Sequence, residues 1–255
     1  MSFTTGIVGP ENSVTPSRGV TVRWWRMNVS GDRDGEVWCI VVAAGAGRRF
    51  GAAKQHVDLA GVTVLGRSLT AALSVCDGVV VCLAPEDPLL DGASVPDGVV
   101  VVEGGASRSR SVANGLEAVP DAATVVLVHD AARPLASTDL FRRVIAAVRA
   151  GADAVVPAVP VIDTIRALDG GTLDRDRLRA VQTPQGFAAA VLRSAYRRGG
   201  EATDDASLVE ASGGTVVLIE GERANLKITE PIDLDVAAAL AERLTAPVHE
   251  RGSDT

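Results

Sequence analysis

Ile40-Val41-Val42-Ala43-Ala44-Gly45-Ala46-Gly47-Arg48-Arg49-Phe50-Gly51-Ala52-Ala53-Lys54 is the stretch from which the rest of the chain can be read. An apolar run this short, bounded by small residues, reads as a buried strand of a parallel sheet opening into a glycine-rich loop. Glycines let the backbone approach a ligand and turn several N–H groups toward it. With Arg49 and Lys54 following, the loop suits a nucleoside triphosphate tail. Taken alone, the stretch fits a tight strand-to-helix turn with surface arginines equally well, because lone glycine patterns are weak.

Two common nucleotide motifs are excluded. A Walker loop needs Gly-Lys-Ser/Thr before a helix, and a dinucleotide fingerprint needs Gly-x-Gly-x-x-Gly with an acid further on; the spacing of Gly45, Gly47 and Gly51 breaks the second pattern. What remains is Ala-Ala-Gly-x-Gly-x-Arg with a lysine downstream, a signature associated with nucleotidyltransferases that hold a triphosphate at the end of the first strand.

Composition narrows the classes further. At 255 residues and 47% hydrophobic content, the chain can bury one substantial core. A formal net charge of −7 argues against a general nucleic-acid binder, whose affinity rests on neutralising phosphates. A local basic pocket can still receive small anions, because focusing depends on the charges lining the cleft. Cys39, Cys76 and Cys82 lie in or beside apolar runs without metal-ligand spacing, which suits small core residues in a reducing, cytoplasmic setting. No membrane span and no secretory signal are visible.

Residues 1–35 carry no lasting period and read as a loose extension; Met27 is a candidate start, and packing of Trp24 and Trp25 on the folded body is the alternative. A single domain is expected over 36–246, with a frayed tail over 247–255. Strands are expected at Val37–Ala43, Val79–Ala84, Val99–Glu103, Val125–His129, Ala154–Pro157 and Val216–Glu220. Helices are expected at Leu65–Val75, Ser107–Val119, Leu140–Ala150, Ala188–Arg198 and Pro231–Leu244, with an acidic helix start at Thr203-Asp204-Asp205. This alternation implies crossover units and an α/β, three-layer Rossmann-like fold with a mostly parallel sheet. Ligands on such sheets sit beyond the carboxyl ends of the strands, which places Gly45–Arg49, Gly104–Arg110 and Asp130–Arg133 on one rim. Residues 159–183 break the alternation. Val161–Leu168, a turn at Asp169-Gly170-Gly171 and Leu178–Gln182 read as a hairpin-like protruding arm.

Val128-His129-Asp130-Ala131-Ala132-Arg133-Pro134 is the most specific run, projecting a carboxylate and a guanidinium with little bulk between them. An ion pair bracing the turn is its structural alternative. His129 lies inside the strand register and reads as structural. Gly104-Gly105-Ala106-Ser107 offers a glycine turn and hydroxyls opening a helix, where N–H donors favour anionic or carbonyl groups; a plain helix cap is the alternative.

With these residues in view, the chain resembles the 2-C-methyl-D-erythritol 4-phosphate cytidylyltransferases from about Val37 to Leu244. The likeness rests on Ala43 to Arg49, Lys54-Gln55, Gly104-Gly105 with Arg108 and Ser111-Val112, and Val128 to Pro134. It continues through Asp163-Thr164, Thr183-Pro184-Gln185, Thr203-Asp204 with Ala206-Ser207, and Asn225 to Thr229. The resemblance implies that Ala43, Ala44, Gly45 and Gly47 wrap the triphosphate of CTP, and that Gly105, Ser111 and the backbone around Ala131 read cytosine and ribose. It implies Arg49 and Lys54 as transition-state cations, and Arg175 and Lys227 as groups positioning a polyol phosphate. Asp130, Arg133, Thr164 and Thr203 would assist on the substrate side. It further implies Mg²⁺ held mainly by the CTP phosphates, and a homodimer in which the arm carries Thr164 and Arg175 to the partner's site. The loop before Lys54 is shorter than the family pattern and lacks its proline, and Ala106 stands where the family often carries an acid. A cytidylyltransferase for another polyol phosphate, such as ribitol 5-phosphate, and a catalytically silent nucleotide-binding module are the competing readings.

Overall fold

The computed structural model describes residues 23–24, 35–45, 50, 54–91, 95–199 and 204–245. Strand β1 (Arg23–Trp24) lies at one edge of the main sheet; the other residues of the expected extension up to 34, including Met27 and Trp25, and the tail over 247–255 lie outside the described residues. The main sheet then takes in β2 (Glu36–Val42), β5 (Gly78–Leu83), β6 (Val99–Glu103), β7 (Ala123–Asp130), β8 (Ala154–Pro160), β11 (Arg179–Val181), β12 (Gln185–Ala188) and β13 (Val216–Glu220). Its order is β1-β13-β8-β12-β7-β2-β5-β6, with β11 added on β8. Two small hairpins complete the strands: β3 (Asp58–Leu59) with β4 (Val62–Thr63), and β9 (Ile165–Arg166) with β10 (Thr172–Leu173).

The sheet is mostly parallel: β2 pairs in parallel with both β5 and β7, and β13 with β8. Antiparallel β12 is inserted between β7 and β8, a strand not anticipated in Gln185–Ala188 because four residues after Thr183-Pro184 are too few to show a period. Central strands are buried on both faces, which explains their continuous apolar runs: all six residues of β5 are buried. Along β2, Cys39 and Val41 face one core and Ile40 the other, as alternation of side chains requires.

Helices cover both faces. On one side α1 (Val64–Leu73) and α3 (Thr138–Arg149) pack Leu65, Leu69, Leu140, Phe141 and Val144 onto the sheet. On the other, α2 (Arg108–Ala118), α4 (Ala189–Arg197) and α5 (Asp205–Ala211) contribute Val112, Leu116, Leu192 and Val209. Starts follow side-chain chemistry: the Ser107 and Ser137 hydroxyls accept from the Arg110 and Leu140 N–H groups, and the Asp204 carboxylate accepts from Ser207 N–H. The final helix α6 (Pro231–Thr245) belongs to a third cluster that joins Leu59, Val64, Leu135, Ile228, Ala237 and Ala241.

The arm differs from expectation in its pairing. Its hairpin closes between β9 and β10, reversing at Gly170 and Gly171, whose φ of +119° and +82° suit glycine. Leu178–Gln182 does not return on Val161–Leu168; β11 runs antiparallel to the end of β8, which extends to Pro160 and so offers it a free edge.

Candidate active site

The loops after β2, β6 and β7 are stitched together at the carboxyl ends of their strands. Ala43 N–H donates to Cys82 O (2.8 Å), Gly104 N–H to Leu83 O (2.7 Å) and Ala131 N–H to Val42 O (3.1 Å). The loops touch closely enough that a Cβ on Gly104 would lie 2.3 Å from the Ala44 Cβ, and one on Gly105 would lie 2.2 Å from the Arg110 Cγ. Glycine is therefore required there for space. The buried Ser111 hydroxyl accepts from Gly105 N–H at 3.0 Å and donates to Ser107 O at 3.0 Å, so in this state it braces the glycine turn. Ala43, Ala44, Gly45, Gly105, Ser111 and Ala131 thus share one rim, while Gly47 and Arg49 lie outside the described residues.

Asp130 ends β7 on that rim, and its carboxylate collects two cations. Lys227 Nζ donates to Oδ2 at 2.7 Å and Arg108 Nε to Oδ1 at 3.1 Å. Burial by itself would raise this carboxyl; the Arg108 and Lys227 charges prevail and hold it well below the ordinary carboxylate range. Arg108 is shared, because its guanidinium also donates to Asp205 at 2.7 Å. Burial would lower that guanidinium, and the Asp205 and Asp130 charges reverse the shift upward.

The partner cations are placed by apolar anchors. Ile228 is fully buried in the α6 cluster and donates its N–H to Ala132 O at 2.8 Å, which turns its neighbour Lys227 outward to the rim. The Lys227 side chain keeps 43% of its surface exposed while its ammonium is paired with Asp130. Lys54 opens a short 3₁₀ turn, and its Nζ donates to Ile228 O at 2.7 Å. The two lysines, one from the first loop and one from near the last helix, therefore come together at the 227–228 segment, Lys54 on the Ile228 carbonyl and Lys227 on Asp130.

Arg133 reaches backward: its guanidinium donates to Asn225 O at 2.8 Å and Val181 O at 3.3 Å, tying the Asp130 loop to the 225–228 segment. Thr183, two residues past β11 and joined to Pro184 by a cis peptide, accepts from Asp130 N–H at 3.0 Å and meets His129 Nδ1 at 3.0 Å. His129 is fully buried with its ring 5.0 Å from that of Phe141. Burial pushes its pKa down to about 4, so it is neutral near pH 7 and serves the packing of β7.

Thr164 and Arg175 are exposed on the arm, where the Arg175 guanidinium donates to Ile162 O at 2.5 Å. Thr203 lies outside the described residues. Three polar residues were not assigned a role from sequence. Sequence places Arg108 only in a motif and Asp205 only in an acidic helix start, and gives Tyr196 no role. The acidic pair at the start of α5 held a signal: Asp204 alone suffices as the cap, yet Asp205 beside it is completely buried.

Among the described residues no three His, Cys, Asp or Glu side chains gather as a metal cage, and no helix is long and apolar enough to cross a membrane. A mostly parallel sheet whose carboxyl-end loops form a basic, glycine-lined rim suits a nucleotide-binding protein of the α/β class. The family model of 2-C-methyl-D-erythritol 4-phosphate cytidylyltransferase (IspD) matches residues 37–243. The chain belongs to that family. It is 48% identical over 219 residues to the 2-C-methyl-D-erythritol 4-phosphate cytidylyltransferase of Rhodococcus opacus, covering 82% of this chain and 96% of that one. It is 46% identical to a bifunctional IspD/IspF enzyme of Clavibacter michiganensis, covering 80% of this chain but about half, 54%, of that longer relative. Among solved structures, the Thermus thermophilus cytidylyltransferase superposes with a TM-score of 0.69 at 42% identity, covering 81% of this chain and 99% of that one.

Proposed function

We propose that this chain transfers the cytidylyl group of CTP to the phosphate of 2-C-methyl-D-erythritol 4-phosphate and releases pyrophosphate. The observation that carries the reading is the convergence of Lys54 and Lys227 on the Ile228–Asp130 corner of the glycine-lined rim. An oxygen of the acceptor phosphate attacks the α-phosphorus of CTP, and the bond from that phosphorus to the pyrophosphate oxygen breaks. Both reactants are anions, and the acceptor phosphate is already ionised near neutral pH. Catalysis then consists of positioning plus cations, with no strong general base. Lys54 and Lys227, together with Arg49, meet the charge on the transferring group. The glycine turns at Gly45 and Gly105 allow close approach of the nucleotide backbone, and Asp130 fixes Lys227.

Mg²⁺ enters as part of the substrate, carried on the triphosphate. The donor set fits this: the Asp130 carboxylate that ends β7 is already paired with two cations, which favours the phosphate oxygens as the ion's principal ligands. A homodimer through the arm belongs to the same reading. Ile162, Leu168, Leu173 and Val181 are exposed on it, and apolar side chains gathered on a projecting hairpin favour a protein partner. Thr164 and Arg175 would then serve the neighbouring site. A cytoplasmic location agrees with three free cysteines.

The test is pyrophosphate release by the full chain from CTP with either 2-C-methyl-D-erythritol 4-phosphate or ribitol 5-phosphate, with product masses measured. Clear preference for the methylerythritol phosphate is expected. Preference for ribitol 5-phosphate, or release with neither, would overturn the proposal.

A further inference from the structure

Behind the rim, away from any position a phosphate could reach directly, lies a second half of the ionic network. Asp205 sits in the first turn of α5 with its carboxylate fully enclosed. It takes the Arg108 guanidinium on Oδ2 and the Tyr196 hydroxyl of α4 on Oδ1. The chain of contacts therefore runs from Tyr196 through Asp205, Arg108 and Asp130 to Lys227. It crosses from one helical layer to the opposite end of the domain sequence.

A capping requirement does not account for Asp205. Asp204 already accepts from the Ser207 N–H at 3.1 Å, and Gln185 secures the same turn by donating to Asp204 at 3.1 Å and accepting from Ala206 N–H at 3.3 Å. Packing does not account for it either, since the neighbouring inward positions of α5 are Ala206, Leu208 and Val209. A buried carboxylate is expensive in an apolar layer unless it is paired and hydrogen-bonded, and the partners of Asp205 are Arg108 and Tyr196.

We infer that Asp205 and Tyr196 are positioning residues for Lys227, acting through Arg108 and Asp130. The inference rests on the proposed role of Lys227 at the rim. The physical reason is the division of one cation between two anions. While Asp205 holds part of Arg108, the Asp130 carboxylate keeps enough negative potential to fix the Lys227 ammonium. Once Asp205 is neutral, the Arg108 charge falls wholly on Asp130, and Lys227 is held less firmly. Tyr196 orients Asp205 so that Oδ2 stays turned to Arg108. Burial, reinforced by the Asp205 charge, raises the phenol, so it stays a proton donor.

The experiment is a pair of double-mutant cycles read as kcat: Asp205→Asn and Tyr196→Phe, each made in the natural chain and in a Lys227→Ala chain. We expect Asp205→Asn to lower kcat about tenfold when Lys227 is present and less than about twofold when it is absent. Tyr196→Phe, which removes a single oxygen, should give a smaller loss, about threefold, that also vanishes without Lys227. Equal loss in both backgrounds would assign the pair a purely structural role and overturn the inference, as would wild-type kcat in both variants. If Asp205→Asn fails to fold, the Tyr196→Phe cycle alone decides. Undiminished turnover of Lys227→Ala by itself would instead remove the reading of the rim on which the inference stands.

Discussion

Replacing Asp130 with asparagine keeps the shape of the side chain and removes its charge, and the structure sets the size of the consequence. Removing one partner of a buried ion pair typically costs about 3–5 kcal/mol, because the other charge is stranded. Here the loss is smaller. Lys227 is 43% exposed and can rehydrate, so its share is that of a surface pair, about 1 kcal/mol or less. Arg108 keeps Asp205 at 2.7 Å, and the asparagine oxygen can still accept one bond. A net destabilisation of about 2–3 kcal/mol follows; at about 2–4 °C per kcal/mol for a domain of this size, Tm should fall by about 4–12 °C. The kinetic signature is more telling. Asp130→Asn adds one positive charge to an anion-binding rim while releasing Lys227 from its tether, so KM for CTP should hold or fall as kcat drops about tenfold or more. Steady-state pyrophosphate release and thermal unfolding of the same preparation measure both. A variant with Tm within about 2 °C of the parent and unchanged kcat would refute the reasoning.

Lys227→Ala removes the cation proposed to face the transferring group, and kcat should fall about 100-fold while Tm shifts by no more than about 4 °C; turnover within threefold of the parent would contradict this. Gly104→Ala places a methyl group 2.3 Å from the Ala44 Cβ, so stability should drop by about 1–3 kcal/mol and KM for CTP should rise; a neutral result in both denaturation and kinetics would show that the loops are not in contact. His129 binds its proton only near pH 4 in the fold but near 6.5 when unfolded, so the unfolded chain takes up protons first and stability must fall as pH drops through that window. The slope should approach about 1.4 kcal/mol per pH unit, with the Asp130 contribution lost at still lower pH, and equal denaturant midpoints at pH 7.5 and 4.5 would exclude it.

What could be read from the sequence follows from how local each signal is. The buried strands β2, β5 and β7 are continuous apolar runs ending in small residues, and Ser107 and Ser137 announce the helices they cap. Period and cap chemistry therefore located these elements without any knowledge of their neighbours. Antiparallel β12 escaped because Gln185–Ala188 contains no alternation and is held by the strands on either side, a purely tertiary cause. Leu178–Gln182 looked like half of a hairpin, but register is set by the free edge of β8. At the site, Asp130 and Lys227 were legible as motif residues, yet nothing in the sequence indicated that they pair. Asp205 was hidden by its neighbour: two acids at a helix start look alike until burial distinguishes the cap from the inward carboxylate.

In the proposed function, lysines from the first loop and from the 225–229 segment grip one triphosphate at the sheet's carboxyl edge. A crystal structure with CTP and Mg²⁺ bound tests it most directly. The Nζ atoms of Lys54 and Lys227 should both lie on phosphate oxygens, at about 2.7–3 Å. A triphosphate seated elsewhere, with both ammonium groups turned away from it, would contradict it.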